Sequence, residues 1–192
     1  MKKIYFAIRI LTIAPILAFI TFTVLHLVSP EITGSTLNYI LAIIFICILP
    51  VLAYPLQPIV PCFKDKGREG QRTLAMIMSV FGYIGGLIAA FALEMPDVMQ
   101  ALLMTYFLSG ILIFFFSKVI KIKASGHACG VAGPIAFLTY VYGAIALLGL
   151  PILAFVYWAS LKMSRHKTSE LIMGSLIPVA AMLVSILFVS IV

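Results

Sequence analysis

The sequence predicts an all-α polytopic membrane protein: about seven membrane-spanning helices bundled into a single domain over residues 1–192. Three observations predict it. Hydrophobic residues make up 64% of the chain and charged residues 10%, with a mean hydropathy of +1.21, whereas soluble domains average roughly 45–50% apolar and about 25% charged. The apolar residues come in runs of about 20, the length that crosses about 30 Å of hydrocarbon at 1.5 Å per residue. Charged residues, prolines and glycine-serine pairs gather between the runs, where turns belong.

Residues 4–28 make the first span. It is too long for a cleavable signal, whose apolar core is about 7–15 residues, and it lacks a small-x-small cleavage site. Ser29-Pro30-Glu31 and Gly34-Ser35 end it. Residues 37–60 make the second span, and Pro50, Pro55 and Pro58 predict a kinked or unwound far end. The charged loop from Lys64 to Arg72 leads to a third span, 73–93, with Gly82, Gly85 and Gly86 for close helix contact. Glu94-Met95-Pro96-Asp97 turns the chain into a fourth span, 98–117. The Lys118–Lys123 segment runs into Ala124-Ser125-Gly126-His127. From Ala128 to Leu161 there are 34 residues without a charge, too many for one crossing. Gly149-Leu150-Pro151 is the expected break, giving spans 128–148 and 151–163. The last span is 168–191, with Gly174 and Pro178 predicting close packing and a bend.

An odd number of spans puts the N-terminus and the loops 61–72, 118–127 and 162–167 on one side. All 13 lysines and arginines then fall there, Lys2, Lys3 and Arg9 included, while Glu31, Glu94, Asp97 and His26 fall on the other. Basic loops mark the cytoplasmic side, so a plasma-membrane protein with a cytoplasmic N-terminus and a cytoplasmic basic face is expected. The net charge of +7 is a membrane-orientation signal, and without aromatic-basic interleaving it gives no nucleic-acid surface. Cys47, Cys62 and Cys129 form no C-x-x-C pair, which suggests neither a disulfide framework nor a zinc site; small buried apolar positions are expected for all three. His26 reads as structural, and Tyr157-Trp158 as an interfacial anchor.

The chemistry gathers on the basic side. His166 stands among Lys162, Arg165 and Lys167, with Glu170 four residues on. On a helix, positions i and i+4 share a face, so the carboxylate can reach the ring, fix its tautomer and raise its basicity. Cations around it would hold a phosphate. His127 and Ser125-Gly126 follow Lys123, and Lys66, Arg68 and Arg72 lie on the same face. A phosphate ester hydrolysed without metal needs cations on its oxygens, an in-line nucleophile and an acid for the leaving oxygen. Two histidines can divide the last two roles.

This pattern resembles the type-2 phosphatidic acid phosphatase superfamily, integral-membrane enzymes related to acid phosphatases and vanadium haloperoxidases. That family carries motifs written KxxxxxxRP, PSGH and SRxxxxxHxxxD. Ser125-Gly126-His127 matches the second, with Ala124 in place of proline; His166 matches the third, with Glu170 in place of aspartate. The first is matched loosely by Arg72, with Thr73 in place of proline and Asp65 where the lysine would stand. Ser160 and Ala159 occupy the positions of the third motif's arginine and serine. The motif order also looks like a compact seven-span bacterial branch of the superfamily, over roughly residues 50–190. The resemblance implies that His166 attacks phosphorus to form a phosphohistidine, that Glu170 orients it, and that His127 protonates the leaving alkoxide. It implies phosphate contacts from Ser125, Gly126 and Arg72, then Arg68, Lys66, Lys123, Lys162 and Arg165. No cofactor or metal is implied. The substrate would be a lipid phosphate or an isoprenoid (di)phosphate entering from the bilayer. Two other classes compete: a catalytically impaired homologue that binds or transports an anionic lipid, and a small ion transporter. The transporter predicts ionisable residues deep within spans, and spans two to seven hold almost none.

Overall fold

The structure, a computed structural model, describes residues 12–191 apart from the side chain of Lys118. Lys2, Lys3, Arg9 and the start of the first expected span lie outside the described residues. All regular structure among the described residues is helical. Helix α1 spans Ala14–Val28, α2 is the single turn Pro30–Thr33, and α3 runs Thr36–Leu56. Then come α4 (Gly67–Ala92), α5 (Asp97–Phe114, extended by a wide turn to Val119), α6 (Gly126–Tyr142), α7 (Leu150–Lys162) and α8 (Thr168–Val189). Five stretches are long and apolar enough to cross a membrane: Thr36–Leu56, Gly67–Ala92, Asp97–Ser117, Gly126–Lys162 and Thr168–Val189; Ala14–Val28 is apolar but shorter.

The far end of the second expected span is unwound: α3 stops at Leu56, and Pro58 falls in the turns that follow. Within the helix, a π-turn over Ile43–Ile48 precedes Pro50, and the helix continues through Pro55 to Leu56. Pro50 has no N–H to donate and its ring crowds the carbonyl one turn back; a wider turn makes room for it. The π-turn is also where α4 docks. A Cβ at Gly82 would strike the Phe45 carbonyl, and one at Gly85 would meet the Phe45 ring at 2.7 Å.

Helix α4 begins at Gly67, earlier than expected, so Arg68 and Arg72 ride on its first turns rather than in a loop. Gln57 holds the connection before it, donating from Nε2 to the carbonyls of Phe63 (2.6 Å) and Lys64 (3.1 Å).

The reversal in the long uncharged run is at Gly143, not at Gly149-Leu150-Pro151. Gly143 has φ +73°, a conformation open to glycine at little cost. The return leg starts as a 3₁₀ stretch, Gly143–Gly149, which lies back against α6: a Cβ at Gly149 would meet Ile135 at 2.9 Å. Pro151 then sits in the first turn of α7, where its missing N–H has no helical partner to lose. Tyr157 is hydrogen-bonded to Ser175 (2.9 Å), tying α7 to α8, while Trp158 remains exposed.

These connections sort the ends of the bundle. At one end the α1–α3 turn meets the α4–α5 turn, where Gly34 lies against Pro96, and Tyr142 Oη donates to Ser29 Oγ at 3.2 Å. Glu31, Glu94, Asp97 and His26 belong to this end. The other end gathers the start of α1, the 57–66 loop, the start of α4, and the segments 118–127 and 162–170. The described lysines and arginines all lie there. The core between the ends packs Phe22, Leu25, Met99, Leu102, Leu103 and Phe137, all buried. Cys47 and Cys129 are buried free thiols as expected; Cys62 is exposed, because it falls in the 57–66 loop outside the apolar helices.

Candidate functional site at the basic end

Helices α6 and α8 are parallel neighbours, and both start at the basic end. One backbone hydrogen bond locks their starts together: Ser125 N–H donates to the Glu170 carbonyl at 2.9 Å. Gly174, one turn further along α8, makes the approach possible, since a Cβ there would collide with the Ser125 carbonyl. Ser125 is wholly buried, and its hydroxyl caps α6 by accepting Ala128 N–H at 3.3 Å. Accepting that N–H leaves the hydroxyl its own proton to donate. Gly126, the first helical residue, is exposed. The opening amides of a helix point outward and carry its positive dipole end.

The His166–Glu170 pair forms as the spacing predicts. His166 Nδ1 lies 2.7 Å from Glu170 Oε2. An ionised carboxylate only accepts, so Nδ1 carries the proton and the neutral ring keeps its lone pair on Nε2. Both side chains are mostly covered, at 15% and 17% exposure. Oε2 also accepts Lys167 N–H at 3.4 Å, so Glu170 closes the first turn of α8 as well as holding the ring.

Lys123 spans the two segments. Its ammonium lies 3.6 Å from Glu170 Oε2 and 3.4 Å from the Arg165 carbonyl. That carbonyl follows a tight reversal after α7, in which Ser164 takes φ +51° and Arg165 N–H returns to the Ser160 carbonyl at 3.1 Å. His127, in the first turn of α6, is positioned by Thr12 just ahead of α1, with Oγ1 2.9 Å from Nε2. No sequence signal pointed to Thr12, 115 residues away.

So contacts join His166, Glu170, Lys123 and Ser125 at one end of the bundle, with Gly126 next in the chain; His127 lies at the same end, in the first turn of α6 beside Thr12. Lys162 and Arg165 flank this cluster as exposed side chains on the α7–α8 connection. Lys66, Arg68 and Arg72 share that end, but their exposed side chains make no hydrogen bond or ion pair with the cluster among the described residues. Lys66 instead lies over the Phe63 ring, 5.6 Å from its centroid. Ser160 is wholly buried and its hydroxyl has no partner among the described residues.

Below the cluster, a cavity of about 530 Å³ opens between α4, α5, α6 and α8, with Gly126 on its wall.

Comparison with known proteins finds no matching family model, curated protein or solved structure. What the fold defines by itself is a membrane protein, all-helical among the described residues, with a cationic end that carries His127 and His166.

Proposed function

We propose that the protein is a metal-independent lipid-phosphate hydrolase, a divergent relative of the type-2 phosphatidic acid phosphatases. The observation that carries this reading is the joint between the two motifs: Ser125 N–H on the Glu170 carbonyl, beside a His166 whose Nδ1 is held by the Glu170 carboxylate. That joint holds the start of α6, which carries Ser125, Gly126 and His127, against the start of α8, which follows His166. The starts of α6 and α8 supply two positive dipole ends, and Lys123, Lys162 and Arg165 add charge.

In this reading the phosphoryl group lies over Gly126. His166 Nε2 attacks phosphorus while the bond to the lipid oxygen breaks. The imidazolium of His127 gives a proton to that oxygen, and the alcohol leaves. Water then attacks the phosphohistidine, losing a proton to His127; the N–P bond breaks and inorganic phosphate departs. Glu170 stabilises the positive ring through the first step. The seven-crossing count follows if α1 crosses and Gly143 divides Gly126–Lys162 into two crossings. The positive-inside rule favours a cytoplasmic basic face, and the plasma membrane is our reading of where that face lies.

The test is phosphate release from phosphatidate, phosphatidylglycerophosphate and polyprenyl diphosphates by the purified full chain in chelator. Release that disappears in His166→Ala supports the reading; equal turnover in that variant removes it.

One observation favours a second reading. The position of the third motif's arginine is Ser160, wholly buried, and no guanidinium replaces it at the His166–Glu170 pair among the described residues. A protein that holds an anionic lipid headgroup without cleaving it would show saturable binding and no phosphate release.

A further inference from the structure

Tyr106 carries a hydroxyl that the fold leaves unanswered. The residue lies on α5, on the wall of the cavity of about 530 Å³. Its Oη is buried and has no hydrogen-bond partner among the described residues. The other hydroxyls on the wall are engaged. Thr105 donates to the Ala101 carbonyl and Ser79 to the Ala75 carbonyl, each at 2.7 Å. The Tyr83 hydroxyl meets Ser79, and Ser109 meets the Cys129 thiol. A buried donor without a partner is costly, and native structures rarely keep one unless water or a ligand completes it.

Depth decides what can complete it. The crossing runs Asp97–Ser117, which puts Tyr106 roughly 14 Å from one end and 17 Å from the other at 1.5 Å per residue. That is the middle of about 30 Å of hydrocarbon, so phospholipid ester and phosphate oxygens lie about 15 Å away. The acyl chains that reach the middle carry no acceptor. A buried water needs about two to four polar partners, and the neighbouring hydroxyls are already engaged. What fits is a molecule that dissolves in hydrocarbon and brings its own acceptor.

The rest of the wall narrows the class. No lining residue among the described residues carries a charge, so the ligand is neutral. Tyr83, Phe107 and Phe114 line the cavity with Tyr106, and aromatic faces of this kind pack well on other rings. Met76 and Val80 on α4, like Ile111 and Phe114 on α5, line the cavity and are also exposed on the outside of the bundle, so the cavity opens sideways between these helices. Its volume is within the range of small-molecule sites.

We infer that this cavity binds a neutral aromatic carbonyl compound, an aryl ketone or a quinone, taken up from the hydrocarbon, with the Tyr106 hydroxyl donating to the carbonyl oxygen. The site stands apart from the basic end: it takes no phosphate, and no step of the proposed hydrolysis uses it.

Photolabelling of the full-length protein in phosphatidylcholine nanodiscs tests it. Benzophenone, itself an aryl ketone, is irradiated with the protein, and labelled peptides are identified by mass spectrometry. Fluorenone and fluorene then compete; they share one flat frame and differ in a carbonyl against a methylene. The label should saturate and fall on the parts of α4, α5 and α6 that line the cavity. Answering a buried donor is worth on the order of tenfold in affinity. Fluorenone should therefore displace the label at roughly tenfold lower concentration than fluorene, after correction for partition into protein-free nanodiscs. Tyr106→Phe keeps the ring and removes the hydroxyl, and should bring the two competitors to within about twofold. It deletes an unpaired group, so the ligand-free variant should melt no lower than its parent, which separates a lost preference from a lost fold. Label that never saturates or lies outside the cavity, equal displacement by fluorene, or a preference that survives Tyr106→Phe overturns the inference.

Discussion

The two ends of the bundle each hold a half-buried histidine with its Nδ1 engaged, and they use it differently. At the acidic end His26 Nδ1 lies 2.8 Å from Thr33 Oγ1, whose own proton goes to the Pro30 carbonyl. The ring stacks on Tyr39 at 4.5 Å between centroids, and Tyr39 Oη is hydrogen-bonded to Thr23. Every partner is neutral and comes from residues 23–39. At the basic end His166 Nδ1 meets a carboxylate, and the contacts continue to Lys123 and Ser125, more than 40 residues earlier. A neutral hydroxyl orients an imidazole; a carboxylate orients it and also stabilises its cation. Local closure marks His26 as part of a turn. The non-local charged arrangement at His166 is what the proposed site rests on.

Substitutions can break this contrast, and they rank by size. His166→Ala should lower phosphate release at least about 1,000-fold, as removal of a nucleophile does, while His26→Ala should leave release within about twofold and lower only the melting temperature. Next is Glu170→Gln, which keeps an acceptor for Nδ1 but loses the charge: kcat should fall on the order of 100-fold with KM little changed, read from initial rates. Gly174→Ala changes no ionisable group. Its methyl would displace the Ser125 carbonyl, so release should fall roughly tenfold with about 1–3 kcal/mol of lost stability. Full activity in Gly174→Ala would separate the Ser-Gly-His loop from the chemistry. The smallest effect belongs to Lys123→Ala. Its side chain is 61% exposed, and pairs of that kind contribute under about 1 kcal/mol, so a change of threefold or less in kcat/KM is expected, diminishing further at high salt.

Much of this architecture was legible in the order of residues. Apolar runs long enough to cross a bilayer leave few alternatives to helices, and the i, i+4 spacing of His166 and Glu170 specifies its own contact. Gly174 could be read as a close-packing position, though not that Ser125 would fill the space. The reversal was misplaced because Gly149-Leu150-Pro151 carries the stronger breaker signal, yet Gly143 alone adopts the left-handed backbone a sharp turn needs, while Pro151 is as comfortable opening a helix as ending one. The start of α4 was set too late because Arg68, Glu69, Gln71 and Arg72 read as loop by polarity; all four residues are good helix formers. The Thr12–His127 contact and the Lys123 bridge depend on which helices lie side by side, which no local pattern encodes.

The central claim is that His166 becomes covalently phosphorylated by a lipid phosphate lying across the starts of α6 and α8. The direct measurement is peptide mass spectrometry after a rapid alkaline quench of the purified protein turning over phosphatidate. The account predicts a phosphohistidine at His166, absent in His166→Ala and greatly reduced in Glu170→Gln. Phosphate release with no label at His166, or with the label on another residue, would contradict it.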